Sequence, residues 1–241
     1  MNEFYKLISQ SYDKVGISDY SITVGKSILE FFKKEHSNRE FKKNLDICCG
    51  TGTLCNFFEE NGIKSKGVDI SEDMLNIARE KYPEIEFIGS DIILYEDNAQ
   101  YDFITCTNDA LNYILDIDDL KTVFKNVNSW LYVDGYFIFD LIAGHLMPEY
   151  LVKQQTDDFK IIYKSNILDN DLIHMITYYY ENDELVWQHE DYDERIYNTE
   201  DILNLLNDTG FVLERCSQEF YMDTRHLKLK FIARKAKLNL K

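Results

Sequence analysis

The sequence predicts an α/β fold: a mostly parallel sheet of seven strands with an antiparallel end, plus an antiparallel β insertion. Three observations lead to this prediction. Short apolar strands alternate with amphipathic helices between residues 45 and 141, as is typical of a parallel sheet. Residues 159–197 then read as β segments broken by Asn-Asp clusters. Two long strands over 212–221 and 227–234 close the chain as an antiparallel pair.

The first part of the chain supplies five strands of this sheet and the helices between them. Each predicted strand is a short apolar run, and each predicted helix shows apolar residues at helical spacing. Ser71, followed by two acids, is typical of a helix start, and Gly210 can end the last helix. The predicted strands are 45–48, 66–70, 85–88, 103–107 and 136–141. The predicted helices are 20–35, 53–61, 71–81, 118–131 and 199–208.

The β insertion is predicted to contain strands over 160–165, 172–181 and 185–197. We expect one domain over residues 1–241, in which a helical lid over 1–40 and a substrate cap over 145–197 select the substrate.

Composition restricts the partners of this chain. Its formal net charge is −17, from 43 acids and 26 bases, so nucleic acids and anionic membranes are repelled at long range. No apolar run approaches the roughly 20 residues that span a bilayer, and no signal peptide is evident. Five cysteines without framework spacing fit reduced thiols. We therefore expect a cytoplasmic protein, monomer or homodimer, that binds neither nucleic acid nor a membrane.

The most informative segment is 45–55, where an apolar strand ends in Asp46 and turns through Gly50, Thr51 and Gly52 into a helix. Glycine allows positive φ and a close approach of ligand to backbone, and the helix start offers unpaired N–H groups. This arrangement predicts a nucleotide-type pocket.

Four segments in register carry a family resemblance. Residues 45–52 resemble motif I of the class I S-adenosylmethionine-dependent methyltransferases, 67–71 the second strand of that family, 89–92 its adenine-binding acid and 103–109 its fourth strand. The closing hairpin is similar to that family's topology, so the resemblance covers nearly the whole chain. It implies a Rossmann-like fold, S-adenosylmethionine as cofactor, and methyl transfer to a nitrogen, oxygen or carbon atom of a small molecule.

The resemblance also implies cofactor contacts. Asp46 would lie near the ammonium group, the backbone of Gly50, Thr51 and Gly52 would pack against the cofactor, and Asp69 would bind the ribose hydroxyls.

The remaining implied contacts follow the next strands. Asp91 and the backbone of Ile92 would bind adenine, Ile70 and Met74 would pack on the purine, and Asn108 would contact the amino-acid end.

Two positions need separate comment. Tyr12 resembles an aromatic residue that many small-molecule members place over the methionine moiety. Cys48 stands where the family often has glycine, and its side chain affects how closely the backbone approaches the cofactor's carboxylate end. Because Cys48 and Cys49 are adjacent and no C-x₂-C pair exists, we expect no metal site.

Candidate general bases are His189 and His145. Strand alternation predicts one face that carries Trp187, His189, Asp191, Asp193, Arg195 and Tyr197. For either histidine, a structural role is the alternative. Asn112 and Tyr113, just after the fourth strand, are candidates for facing substrate.

Two other functions are considered. An NAD-dependent oxidoreductase is disfavoured because Gly50 and Gly52 lack the third glycine of G-x-G-x-x-G, and because of the closing hairpin. A non-catalytic S-adenosylmethionine-binding module stays open, and the acceptor is left undetermined.

Overall fold

A computed structural model describes residues 3–142, 151–155, 157–168, 171–219 and 228–237. The main sheet contains β1 (Lys43–Ile47), β2 (Lys64–Asp69), β3 (Glu86–Gly89), β4 (Tyr101–Cys106), β5 (Leu131–Ile142), β10 (Phe211–Glu219) and β11 (Lys228–Lys235). A second sheet contains β6 (Leu151–Gln155), β7 (Phe159–Ile167), β8 (Leu172–Glu181) and β9 (Glu184–Arg195). The helices are α1 (Glu3–Ser9), α2 (Ile17–Glu35), α3 (Thr53–Glu60), α4 (Glu72–Lys81), α5 (Ile117–Trp130), α6 (Thr199–Asp208) and a 3-10 helix (Ala110–Tyr113).

The main sheet confirms the predicted fold class. Its seven strands have the order β3-β2-β1-β4-β5-β11-β10. Strands β1 to β5 are parallel, and β11 is antiparallel to both β5 and β10. The strand order reverses between β1 and β4, and the crevice at the carboxyl ends of such a pair is where open α/β sheets bind ligands.

Helices cover both faces of this sheet because each strand buries side chains on both sides. On one face, α5 and α6 pack on residues such as Ile104 and Phe137. On the other face, α2 and α3 pack on Phe103, Tyr136 and Ile138. Burial on both faces explains why the central strands read as continuous apolar runs in the sequence. No helix in the described ranges is long and apolar enough to cross a membrane.

The second sheet, called the cap sheet below, comprises β6–β9 and is antiparallel throughout. It confirms the antiparallel β insertion, although β6 was absent from the prediction. Its inner face shares one apolar cluster with the N-terminal residues, the start of α4 and the end of β5. This cap cluster contains Ile8, Val15, Ile17, Met74, Ile142, Ile161, Ile173, Met175, Tyr179 and Ile196. The cap sheet and the N-terminal residues therefore pack together at the carboxyl edge of the main sheet.

The strand β9 contains a β-bulge that changes which side chains face inward. Tyr192 pairs with Met175, but the next residue of β8, Ile176, pairs with Glu190. Asp191 is therefore the extra residue of the bulge. An extra residue reverses the alternation of side chains along the rest of the strand.

Because of the bulge, the predicted assignment of side chains to the two faces of β9 is wrong for the residues after Asp191. His189 lies on the inner face as predicted, where it pairs with buried Thr177. Asp193 instead pairs with His174 on the outer face, and their side chains lie 2.8 Å apart. Glu194 takes the inner position.

A candidate active site at the carboxyl edge

The turn between β1 and α3 is built from left-handed backbone. Cys48, Gly50 and Gly52 have φ values of 57°, 54° and 76°. A Cβ atom on Gly50 would meet nothing within 4 Å, whereas one on Gly52 would lie 2.6 Å from the ring of Phe87. Gly52 is therefore required for packing at the start of α3, and Gly50 leaves open space on the side of the crevice.

Cys48 adopts the conformation that favours glycine. A left-handed conformation costs a residue with a side chain roughly 1–2 kcal/mol. Cys48 is half-buried and packs against the core of the main sheet. Cysteine at position 48 thus preserves the shape of the turn, but its backbone is locally strained.

Asp69 ties the turn to the start of α4. Its Oδ2 accepts a hydrogen bond from the backbone N–H of Gly50 at 2.8 Å, and its Oδ1 accepts one from the N–H of Ser71 at 2.9 Å. Burial raises the pKa of Asp69, while these two hydrogen bonds oppose that shift. Each carboxylate oxygen keeps a further lone pair that can accept a hydrogen bond from a ligand.

Asp46 is only 2% exposed. Its Oδ1 accepts a hydrogen bond from Thr105 Oγ1 at 2.6 Å, and its Oδ2 accepts one from Cys55 Sγ at 3.8 Å. Burial raises the pKa of Asp46 to about 7, and the hydrogen bond from Thr105 partly offsets this rise. Asp46 is thus held by β4 and α3 within the protein interior.

The residues expected to bind the purine occupy different environments. Ile70 is 54% exposed beside Asp69, so it offers an apolar surface to a ligand. Asp91 lies just after β3, and its Oδ1 accepts a hydrogen bond from the N–H of Ile93 at 2.9 Å. Ile92 is buried in the core of the main sheet, and Met74 is buried in the cap cluster. Ile70 and Asp91 therefore have the accessibility that a contact requires, and the side chain of Met74 does not.

The loop between α1 and α2 is held over the turn by two sets of contacts. Asn108 Nδ2 donates a hydrogen bond to the hydroxyl of Tyr12 at 3.0 Å. Thr51 Oγ1 donates to Asp13 Oδ1 at 3.0 Å, and Lys81 Nζ donates to Asp13 Oδ2 at 2.7 Å. The structure thus brings together Tyr12, Asn108 and Thr51 from the prediction. Asp13 was missed, because only the fold shows that it reaches the turn.

The segment after β4 is also strained. Asn108 and Asp109 both have positive φ, at 64° and 52°. Fully buried Asp140 holds them, because its Oδ2 accepts from the N–H of Asn108 at 3.2 Å and its Oδ1 from the N–H of Asp109 at 2.6 Å. The hydroxyl of Tyr20 donates to Asp140 Oδ2 at 3.0 Å. Such strain persists only where neighbouring groups fix the backbone.

A buried group of charges lies beside this segment and was not predicted. Lys228 Nζ lies 3.0 Å from Asp109 Oδ1 and 3.5 Å from Asp140 Oδ1. Glu194, 5% exposed, completes what is called the acidic cluster below: Asp109, Asp140, Glu194 and Lys228. Burial first, and the charge of Asp109 second, raise the pKa of Glu194 to about 8, and Lys228 opposes this shift.

Asn112 connects the cap sheet to the main sheet. Its Nδ2 donates hydrogen bonds to the carbonyl oxygens of Ile142 at 2.9 Å and Arg195 at 2.7 Å. Its Oδ1 accepts one from the N–H of Ile142 at 3.0 Å. The interpretation of Asn112 as a substrate-facing residue is therefore wrong, since it is fully buried and its amide holds backbone. Tyr113 lies beside Glu194 and its hydroxyl hydrogen-bonds to that carboxyl.

Both predicted bases stay predictions. His189 is buried on the inner face of the cap sheet. His145 lies outside the described residues. Within the part of the chain that the structure describes, no three His, Cys, Asp or Glu side chains are grouped as metal ligands would be.

Comparison with known proteins extends this description. Residues 45–135 match a family model described as a methyltransferase domain. The putative methyltransferase YqeM of Bacillus subtilis (strain 168) is 28% identical over 206 residues, which is 77% of this chain and 80% of that protein.

Solved structures extend the similarity to the cap sheet and the N-terminal residues. An S-adenosylmethionine-dependent methyltransferase from Clostridium acetobutylicum ATCC 824 has a TM-score of 0.78 at 24% identity, covering 97% of this chain and 99% of that one. The amino pentose methyltransferase CalS10 from Micromonospora echinaspora, with S-adenosylmethionine bound, has a TM-score of 0.74 at 13% identity, covering 90% and 92%.

Proposed function

We propose that this chain is a class I S-adenosylmethionine-dependent methyltransferase, and that it methylates a nitrogen, oxygen or carbon nucleophile of a small molecule by in-line displacement. One observation carries the small-molecule part of the proposal. The cap sheet and the N-terminal residues share the cap cluster, and they cover the carboxyl edge from two sides. A crevice covered in this way favours a small acceptor over a folded macromolecule. The net charge of −17 also disfavours nucleic acid.

The residues at the edge fit the cofactor. Gly50 leaves open space next to Asp69, whose oxygens can accept hydrogen bonds from ribose hydroxyls. Exposed Ile70 offers an apolar surface for the purine, and Asp91 and the backbone of Ile92 would bind its polar edge.

The amino-acid end of the cofactor would lie on the opposite side of the turn. Asn108 and Tyr12 would contact this end of the cofactor. The buried carboxyl group of Asp46, beneath the turn, would attract the cofactor's ammonium group through its charge. When bound, S-adenosylmethionine supplies a methyl group on a positively charged sulfur, which leaves as a neutral thioether.

The protein's own contribution to catalysis is enclosure and alignment. The contacts of Tyr12 and Asp13 hold the N-terminal loop over the turn, which excludes water from the reacting atoms. Holding two reactants in line can supply up to about 7–11 kcal/mol. A general base is needed only when the acceptor arrives protonated, and His189 is proposed for that role because it lies on the inner face of the cap sheet.

The cytoplasm is the proposed location. All five cysteines have free thiols, including the adjacent pair Cys48 and Cys49. Free thiols are usual where the surroundings are reducing.

The test combines binding with product analysis. Purified protein is titrated with S-adenosylmethionine by calorimetry and then incubated with a panel of amines, phenols and carboxylic acids. We expect binding, and S-adenosylhomocysteine detected by mass spectrometry with at least one acceptor. Tight binding without product from any acceptor would instead support a non-catalytic binding module.

Two substitutions give a matched control. Asp69→Asn should weaken cofactor binding by at least roughly tenfold, since the ribose loses a charged acceptor. Asp102→Asn is the control, because Asp102 also accepts two backbone N–H bonds, from Lys42 and Lys43, but at the opposite edge of the sheet. Equal effects of the two substitutions would contradict the proposed role of Asp69.

A further inference from the structure

The hydrogen bonds of the acidic cluster leave one carboxyl oxygen without a donor. Asp140 receives hydrogen bonds from Tyr20 and from two backbone N–H groups, and its Oδ1 also lies 3.5 Å from Lys228. Asp109 Oδ1 accepts a hydrogen bond from Lys228 Nζ at 3.0 Å. In the described part of the chain, Glu194 Oε2 is buried and accepts no hydrogen bond. A buried polar atom of this kind is costly unless a ligand or water satisfies it.

The charges of the cluster are also unbalanced. Among the residues that the structure describes, three carboxyl groups lie close to one ammonium group, that of Lys228. Lys228 is already placed between Asp109 and Asp140, and it lies 4.3 Å from the centre of the Tyr20 ring. Buried charges in proteins are usually paired, so full ionisation of this cluster requires a further cation. The single positive charge of Lys228 cannot neutralise three carboxylates.

The position of Glu194 connects the cluster to the proposed reaction site. Asp109, whose charge acts on Glu194, directly follows Asn108, and Asn108 contacts Tyr12 above the glycine turn. Glu194 also directly precedes Arg195, whose carbonyl oxygen is held by Asn112. The bulge at Asp191 turns Glu194 inward, and the anchor at Asn112 keeps it there.

We propose that Glu194 is the anchor for a cationic amino group of the methyl acceptor, so that the substrate class is small-molecule amines. This inference rests on the proposed function. An ammonium group supplies both features that the cluster lacks, a positive charge and an N–H donor for Glu194 Oε2. A hydroxyl group supplies a donor but no positive charge, so it does not offset the cost of ionising Glu194.

The same carboxyl can prepare the amine for reaction. When an N–H bond of the ammonium breaks, the proton passes to Glu194 Oε2 and the electron pair stays on nitrogen, which becomes a nucleophile. Within the described ranges, the titratable groups that act on Glu194 are Asp109, Lys228 and Tyr113. Without a ligand, burial and the charge of Asp109 keep the pKa of Glu194 at about 8, so the group is protonated at neutral pH and ionises as the amine binds.

The first experiment compares amines with matched alcohols on the full-length protein loaded with S-adenosylhomocysteine. The pairs are benzylamine with benzyl alcohol, cyclohexylamine with cyclohexanol, and glucosamine with glucose. Thermal unfolding should show that at least one amine stabilises the protein and that its alcohol does not. Equal stabilisation within every pair, or no stabilisation by any amine, would overturn the proposal.

Substitutions locate the effect. Glu194→Gln should weaken binding of the stabilising amine by at least roughly tenfold, because the anionic partner is lost. Asp193→Asn is the matched control, since Asp193 is the neighbouring acid and pairs with His174 on the outer face. Retained amine binding in Glu194→Gln would sink the assignment.

A wild-type measurement avoids any effect of substitution on folding. Calorimetric titration of the amine near pH 7, in two buffers of different ionisation enthalpy, should show release of about one proton as Glu194 ionises. Absence of proton release would contradict the anchor role. Binding of S-adenosylhomocysteine is measured first in every protein. If the wild type does not bind it, the proposed function fails; if it binds but amines are not preferred, only the anchor fails.

Discussion

The glycine turn allows a prediction that separates the needs of folding from those of cofactor binding. Gly50, Gly52 and Gly62 all have positive φ but lie in different surroundings. A Cβ on Gly50 or on Gly62 would meet nothing within 4 Å, but one on Gly52 would lie 2.6 Å from the ring of Phe87. Gly62 follows α3 at the other edge of the sheet, so it reports the cost of the backbone conformation alone.

The expected losses of stability follow from these surroundings. Substituting alanine at Gly62 or Gly50 should lower the free energy of unfolding by about 1–2 kcal/mol, the cost of a left-handed residue with a side chain. At Gly52 the same substitution also forces the Phe87 ring or the backbone to move. Overpacking of this kind adds about 1–3 kcal/mol. Gly52→Ala should therefore be the least stable of the three.

Cofactor affinity should rank the variants differently. The methyl group of Gly50→Ala would enter the space proposed for S-adenosylmethionine, so binding should weaken by at least roughly tenfold, about 1.4 kcal/mol. Gly62→Ala should bind as the wild type does. Urea denaturation without ligand gives the stabilities, and calorimetric titration with S-adenosylhomocysteine gives the affinities. Affinities of Gly50→Ala and Gly62→Ala that agree within about twofold would refute the close approach of backbone to cofactor.

Three further predictions concern the same edge of the sheet. Burial raises the pKa of Asp46 to about 7 in the folded protein, so the stability that its protonation provides is present at low pH and is lost as the pH rises through about 7. Relative to Asp46→Asn, the wild type should lose about 4 kcal/mol between about pH 4 and pH 7 in urea denaturation, and parallel pH curves would contradict this. Cys48→Gly should raise the free energy of unfolding by about 0.5–1 kcal/mol by removing strain at φ 57°; a loss of stability would show that the thiol's packing outweighs the strain. Asp13→Ala removes the contacts to Thr51 and Lys81, so stopped-flow measurement should show faster release of S-adenosylhomocysteine while stability changes by less than about 1 kcal/mol. An unchanged release rate would mean that the loop does not retain the cofactor.

Local signals in the sequence were enough to predict much of this fold. The helix α6 (Thr199–Asp208) has the predicted bounds, because Asn198 caps it and Gly210 ends it. The strand β8 (Leu172–Glu181) also has the predicted bounds, since it ends at a turn of two residues with positive φ, Asn182 and Asp183. Each of these boundaries depends on residues within a few positions of it.

Features that depend on distant contacts were missed. The start of β5 lies at Leu131 rather than 136, because α5 leads directly into the strand and Asp134 adopts positive φ within it. The bulge at Asp191 is defined by pairing with β8, and alternation within β9 alone gives the wrong face for Asp193. Lys228 joins Asp109 across 119 residues of sequence. Such contacts leave no signal in a single sequence.

The same bulge has an evolutionary consequence. Deletion of the codon for Asp191 would remove the extra residue and restore plain pairing with β8, so His189 and Glu194 would both stay on the inner face. The parts of β9 on either side of the bulge would keep their present faces. The bulge thus absorbs a change of one residue in the length of this strand. Lineages that share this architecture can therefore gain or lose one codon here without exchanging the side chains that face inward.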